Sequence, residues 1–303
     1  MKSKTIILTT AVIALSCAVL SCASIASAAS FGAQVAGATG AINPNVAHAI
    51  SNSSKAIGSA AEEINPEQEY YIGRAVAANI LSSYKLWTGS PALTAYLNNI
   101  CAAITINSPR PNIYNGYHVA ILDSNEINAF ATSGGHILVT RGLINTAKSE
   151  DALAGVIAHE IAHIQLQHSI KSIKTSRITQ ALLVTGTSAV GAAAGMDVNQ
   201  LTDVFNESVG EIVQTMVNNG YSQGQEYDAD KTALSLMATA GYNPQGLIDM
   251  LKELNAIQSK TDGGFNKTHP SPAQRISNAE KSIGKYKTAD TRADRQARFA
   301  VTN

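Results

Sequence analysis

The stretch Ala158-His159-Glu160-Ile161-Ala162-His163 lies inside an apolar, helix-like run from Leu153 to Leu166. It constrains the chain more than any other segment. On a helix, residues four apart are one turn plus about 40° apart, so His159 and His163 turn their imidazoles to the same side. Such a pair can hold two corners of a tetrahedral zinc. Glu160 is then placed to reach a metal-bound water without itself being a ligand. Two helix-face histidines beside a surface glutamate would spell the same letters, so the remaining ligands must be sought elsewhere.

Two zinc-bound histidines need a third protein ligand, and a catalytic site keeps the fourth position open. Glu226-Tyr227-Asp228-Ala229-Asp230 reads as the start of a helix running to about Ala240. Glu226 is the preferred ligand because Asp230 follows at i+4 on the same face. From there Asp230 can accept a hydrogen bond from a ligand histidine and fix its tautomer. Glu207 and Glu211 compete for the third position. The histidine helix should start at Ser149 as N-cap, with Glu150 and Asp151 in its first turn, and persist to about His168. Nine residues after His159, His168 would then face the opposite way and could not share the metal.

The opening of the chain reads as an export signal over residues 1–28. Lys2 and Lys4 precede an apolar stretch to Leu20, and Ala26-Ser27-Ala28 offers a small-x-small cleavage site. A competing reading lipidates Cys22 and ties the chain to a membrane, since Val19-Leu20-Ser21-Cys22 resembles a bacterial lipoprotein signal. Both place the protein in the periplasm or cell envelope. Cleavage would leave Cys101 as the one cysteine, a buried thiol in the apolar run 93–104, so no intramolecular disulfide can form. The balance of 22 basic and 22 acidic residues argues against a nucleic-acid partner.

Residues 29–64 are rich in Gly, Ala, Ser and Asn and read as a flexible lead-in. Helices are expected from Asn65-Pro66-Glu67 to about Tyr84 and from Ser90-Pro91 onward. A strand at 117–122 follows, then a hairpin of 128–132 and 136–140 joined by Ser133-Gly134-Gly135. An exposed edge there could align an extended peptide by main-chain hydrogen bonds. The small apolar stretch 181–196 suits a flap or surface loop, and 201–217 reads as an amphipathic helix ending at Asn218-Asn219-Gly220. Residues 65–287 would form the folded domain, and 288–303 a polar tail, frayed or disordered. The fold class is α+β, mainly helical, with a small β-hairpin or sheet beside the histidine helix.

These motifs carry a resemblance. His159-Glu160-x-x-His163 followed by Glu226-x-x-x-Asp230 looks like the gluzincin metallopeptidases, which are zincin-like in fold. Asn128-Ala129-Phe130 before Gly134-Gly135, Gly241-Tyr242-Asn243-Pro244, and Thr268-His269-Pro270-Ser271 with Arg275 resemble the HtpX-like family, related to the CAAX prenyl endopeptidases. The similarity is greatest to its exported members that act in envelope quality control.

The resemblance implies one zinc per chain on His159, His163 and Glu226, with Glu160 as general base and Asp230 supporting a ligand histidine. It implies His269 near the cleft, as a transition-state stabiliser or a gate on the metal. Asn128, Ala129, Phe130, Gly134 and Gly135 would align polypeptide substrates. Many members carry Arg where Gln223 stands, and multi-spanning membrane helices are missing, which disfavours a prenylated substrate. The function expected is zinc-dependent endoproteolysis of misfolded envelope proteins. The rival is a latent or non-catalytic, zinc-containing, chaperone-like binding module. An aminopeptidase would need a group for the free amino terminus, and no such motif is visible. Nothing in the sequence sets an oligomeric state.

Overall fold

The computed structural model describes residues 64–171, 210, 212–258, 265–269, 272–286 and 292–302, with isolated positions 31, 34, 35 and 38. The chain divides into two compact units, 1–64 with 172–208 and 65–171 with 209–303. Most of the first unit, including the leader and nearly all of the lead-in, lies outside the described residues, as do the 181–196 stretch, Glu207 and Glu211.

In the second unit the helix starts follow from their caps. Helix α1 (Pro66–Ser83) opens with a capping box in which Asn65 and Gln68 each accept from the other's backbone N–H, and Pro66 sits at N1. Helix α2 (Pro91–Thr105) repeats the logic with Ser90, whose side chain accepts from the Leu93 N–H at 3.1 Å. Helix α3 (Arg141–Thr146) is a short lead-in capped by Thr140. Helix α4 (Glu150–Gln165) carries the two histidines and is capped by Ser149. Helix α5 (Gln223–Thr239) begins on a capping box of Ser222 and Gln225. It closes on Gly241, whose φ of +84° allows the reversal. There Tyr242 N–H reaches Met237 C=O and Gly241 N–H reaches Ala238 C=O, the paired bonds of a Schellman end. Helices α6 (Gln245–Gln258), α7 (Phe265–Thr268), α8 (Pro272–Ile283) and α9 (Arg292–Thr302) complete the unit.

The sheet holds the expected hairpin and one pairing that strand periodicity does not reveal. Strand β2 (Ala129–Ala131) runs antiparallel to β3 (His136–Thr140), while β1 (His118–Leu122) pairs with β3 in parallel, giving the order β1-β3-β2. The outer side of β1 is covered. The Asn98 amide accepts from Val119 N–H at 2.9 Å and donates to Val119 C=O at 2.8 Å, and Trp87 N–H donates to Ile121 C=O. A side-chain amide here satisfies the edge groups that another strand would otherwise seek. The architecture is thus mainly helical α+β, with a small sheet beside the histidine helix.

Helix α4 runs through the core, buried at almost every position from Ala152 to Ile164, and packs against α2, α5, α6 and β2. An α-helix buried all round must meet small residues somewhere, and Gly155 is such a point. A Cβ there would lie 2.8 Å from Leu247 Cα on α6. Gly155→Ala should therefore lower the unfolding free energy by about 1–3 kcal/mol. Chemical denaturation reads this, and an unchanged midpoint would mean the two helices can separate freely. Cys101 sits in the same core, 1% exposed, and burial pushes its thiol up to about 12.

The tail departs from expectation. Residues 292–302 form α9 rather than a frayed end, and α9 docks on the start of α4. Arg295, itself buried, reaches Asp151 at 2.8 Å, and Arg298 reaches Glu150 at 2.6 Å. Glu150, 1% exposed, also accepts from Tyr96 Oη at 2.9 Å. The first-turn acids expected to serve the helix dipole also anchor the C-terminal helix. Among the described residues, no helix is long and apolar enough to cross a membrane.

Candidate metal centre

The i, i+4 spacing on α4 brings His159 and His163 Nε2 to 3.0 Å from one another, both side chains 1% exposed. Helix α5 crosses α4 and delivers Glu226, whose carboxylate oxygens lie 3.4 Å from each of these nitrogens. The short α7 delivers His269, with Nδ1 3.3 Å from His159 Nε2 and 3.1 Å from Glu226 Oε1. A tetrahedral zinc bonded at about 2.0–2.1 Å holds its ligand atoms about 3.3 Å apart. The four groups therefore converge at the spacing a small dication imposes, and they form the metal-type cluster among the described residues.

Charge makes the same point independently. Glu160, Glu226 and Asp230 are each at most 1% exposed, and among the described residues Arg275, also fully buried, is the one Lys or Arg paired with them. With neutral imidazoles this core would carry a formal charge of about −2, which burial penalises heavily and a zinc ion would balance. Burial and Arg275 push His159 down, but hydrogen bonds to Asp230 and Glu226 outweigh them and lift it to about 9. Burial raises Glu160 above the usual carboxylate range. For Glu226 burial works upward, but His269, Arg275 and both α4 histidines together hold it well below that range. His163 is pushed well below normal, chiefly by burial.

Asp230 lies one turn beyond Glu226 on α5, and its Oδ1 is 2.9 Å from His159 Nδ1. Arg275 of α8 donates to both Asp230 oxygens, from Nε at 2.8 Å and Nη2 at 2.6 Å, and its Nη1 is 3.0 Å from Glu226 Oε2. Against the upward pull of burial, that guanidinium holds Asp230 down at about 2. Sequence motifs include Arg275 but assign it no role. Its function as the clamp between two α5 carboxylates needs the α5–α8 contact, which no local pattern reports. One oxygen of Glu160 makes no hydrogen bond, and its nearest ion-pairing group is His269 Nε2 at 3.6 Å. A buried carboxylate oxygen beside a metal cluster without a partner is the atom a water would meet.

His168 requires a correction. The α4 helix ends at Gln165, and Gln167 takes a left-handed φ of +55°. The chain therefore turns back on itself. His168 is buried, with Nδ1 2.8 Å from His163 Nδ1, not on the opposite face. The missing signal was a non-glycine residue in a left-handed conformation, which sequence does not advertise. Tyr221, also unassigned from sequence, stacks on the His163 ring at 4.2 Å and 20°.

The hairpin residues divide. Asn128 is buried, and its Oδ1 accepts from Thr268 Oγ1 at 3.0 Å, while Ile127 C=O accepts from Phe265 N–H. The start of β2 thus props the short α7 that carries His269, whose ring stacks on Phe265 at 4.4 Å. Ala129 and Phe130 are buried in β2 beside α4, Phe130 5.6 Å from the Tyr84 ring. Gly134 and Gly135 both have positive φ. The atoms nearest a Cβ there belong to Tyr70, and to Gly116 and Ile113. Their immediate work is to seat the turn against α1 and the loop before β1. Gln223 sits exposed at the start of α5 and donates to Gln274 of α8.

The family model described as Peptidase family M48 matches residues 91–283, a span holding the whole cluster. The beta-barrel assembly-enhancing protease of Yersinia pestis is 24% identical over 254 residues, 80% of this chain and 49% of that protein. Metalloprotease LoiP of Escherichia coli (strain K12) is 28% identical over 190 residues, 62% of this chain and 71% of that protein. The mitochondrial metalloendopeptidase OMA1 of Schizosaccharomyces pombe is 30% identical over 159 residues, half of this chain and 42% of that protein. The chain spans about half the length of the beta-barrel assembly-enhancing proteases it matches.

Proposed function

Because the chain belongs to Peptidase family M48, we propose that it is a zinc-dependent endopeptidase whose metal is held by His159, His163 and Glu226. The observation that carries the proposal is the convergence of those groups with a buried Glu160 oxygen that has no hydrogen-bond partner. A structural zinc site has no use for such a carboxylate, which weighs against a binding module that merely holds clients. Zinc, when bound, supplies a Lewis acid that acidifies water and polarises the scissile carbonyl. Glu160 takes the proton of the attacking water and passes it to the leaving amine, so the peptide bond becomes a carboxylate and an amine. Burial holds its carboxyl above the usual carboxylate range, the direction that favours keeping the proton until it is passed on. Asp230 accepts the His159 Nδ1–H and keeps Nε2 free for the metal, and Arg275 keeps Asp230 ionised.

His269 stands at the corner where water would enter, and we read it as a gate that must swing aside. Strand β2 lies on the outside of the sheet beside α4, and its register turns the Ala131 N–H and C=O away from β3. The edge expected to be exposed is covered, all three β2 residues being buried, so an extended polypeptide pairs there only where that cover is displaced. With the leader of residues 1–28, the substrates are envelope proteins, misfolded ones above all. A beta-barrel assembly-enhancing protease among the relatives agrees with that setting. The zinc-loaded protein should cut casein, lose activity to a chelator and regain it with stoichiometric zinc. Cleavage that persists after zinc removal would end the proposal. His269→Ala should cleave casein faster than wild type, and a fall would assign the ring to oxyanion stabilisation instead.

A further inference from the structure

We propose that His168 is a positioning residue for His163: its Nδ1 accepts the His163 Nδ1–H and holds that ring with Nε2 turned to the metal. The inference rests on the zinc reading above and adds a residue to which neither motif spacing nor helical periodicity assigns a part.

The two Nδ1 atoms are 2.8 Å apart and both side chains are buried. At that distance one proton must lie between them, because two lone pairs would repel and two N–H groups would collide. Two placements exist. If His168 donated, His163 would carry its proton on Nε2, the atom 3.0 Å from His159 Nε2 and 3.4 Å from Glu226, and could not ligate through it. If His163 donates, Nε2 has its lone pair where the cluster converges. Only the second tautomer is compatible with metal on Nε2. Tyr221 stacked on the ring removes its freedom to rotate away.

The two histidine ligands are therefore supported differently. His159 is backed by the anionic Asp230, itself clamped by Arg275, whereas His163 is backed by a second imidazole. The backbone is built to deliver that imidazole. Gln167 is held left-handed at φ +55°, at a cost a non-glycine residue bears only where surroundings enforce it. Its Nε2 donates to the buried Glu69 at 3.1 Å. Arg110 pairs with the same Glu69 at 3.0 Å and donates to Ile164 C=O at 3.1 Å. Lys171 N–H then returns to Gln167 C=O, so the helix resumes with His168 already turned inward.

The test uses the full chain, zinc alone as probe, and two variants. His168→Asn keeps an acceptor near the position of Nδ1, while His168→Leu fills the space without one. Titration against a chromophoric chelator should show zinc held about 10–100-fold more weakly by His168→Leu and within about threefold of wild type by His168→Asn. Circular dichroism and thermal midpoints of the zinc-free forms must match. Wild-type affinity in His168→Leu, or equal weakening in both variants, would overturn the proposal. Should His168→Leu fail to fold, nitrogen NMR of the zinc-loaded wild type decides. His163 should be protonated at Nδ1 and His168 at Nε2, and the reverse overturns the proposal. A wild type that binds no zinc contradicts the zinc reading itself, and this inference with it.

Discussion

Glu160→Gln should cut peptide hydrolysis by at least about 10²–10⁴-fold while leaving zinc bound. The substitution is nearly isosteric, so the surroundings of the ring pair on α4 are kept. What changes is the proton. An amide cannot take one from the attacking water, nor hand one to the leaving amine. The fold should not suffer, because Glu160 is a buried carboxylate with one oxygen unpartnered and a pKa raised by burial. Replacing it with a neutral amide removes a buried charge, so the zinc-free variant should unfold at the same or higher denaturant concentration. Casein cleavage near the wild-type rate in a zinc-loaded Glu160→Gln protein would remove Glu160 from the chemistry.

Arg275→Leu should be among the most destabilising single changes, by about 3–5 kcal/mol in the zinc-free protein. The guanidinium is fully buried and meets Asp230 through two nitrogens and Glu226 through the third. Removing it leaves two carboxylates in the core facing only histidine rings, and Asp230 loses the group that holds its pKa at about 2. Lysine would not substitute, since one ammonium cannot span three oxygens in a fixed plane. Added zinc should restore part of the loss, because a dication neutralises the same charges. Urea unfolding with and without zinc measures both effects. A loss below about 1 kcal/mol would mean the carboxylates are solvated or protonated rather than clamped.

What the amino-acid pattern reveals here is local. The α4 histidines and the α5 pair Glu226 and Asp230 are legible because a helix repeats every 3.6 residues, so spacing alone sets which side chains share a face. Caps at Asn65, Ser90 and Ser149 are legible because their hydrogen bonds close within three residues. The features that escape are those set by distant contacts or by one unusual torsion. Helical periodicity carried to His168 puts it on the opposite face, whereas Gln167 ends the helix in a conformation its side chain does not announce. The parallel β1–β3 pairing joins strands with another strand between them in sequence, and alternation cannot distinguish it from a plain hairpin. Helix α9 looks polar because its arginines meet Glu150 and Asp151, some 145 residues earlier. Arg275 follows the same rule, as a charge whose partners lie on another helix.

The metal centre itself is tested most directly by zinc content per chain, measured after dialysis against a weak chelator. Wild type and Glu160→Gln should each retain one zinc, while Glu226→Ala, still folded by circular dichroism, should retain little. One zinc per chain in folded Glu226→Ala would contradict the centre described for α4 and α5.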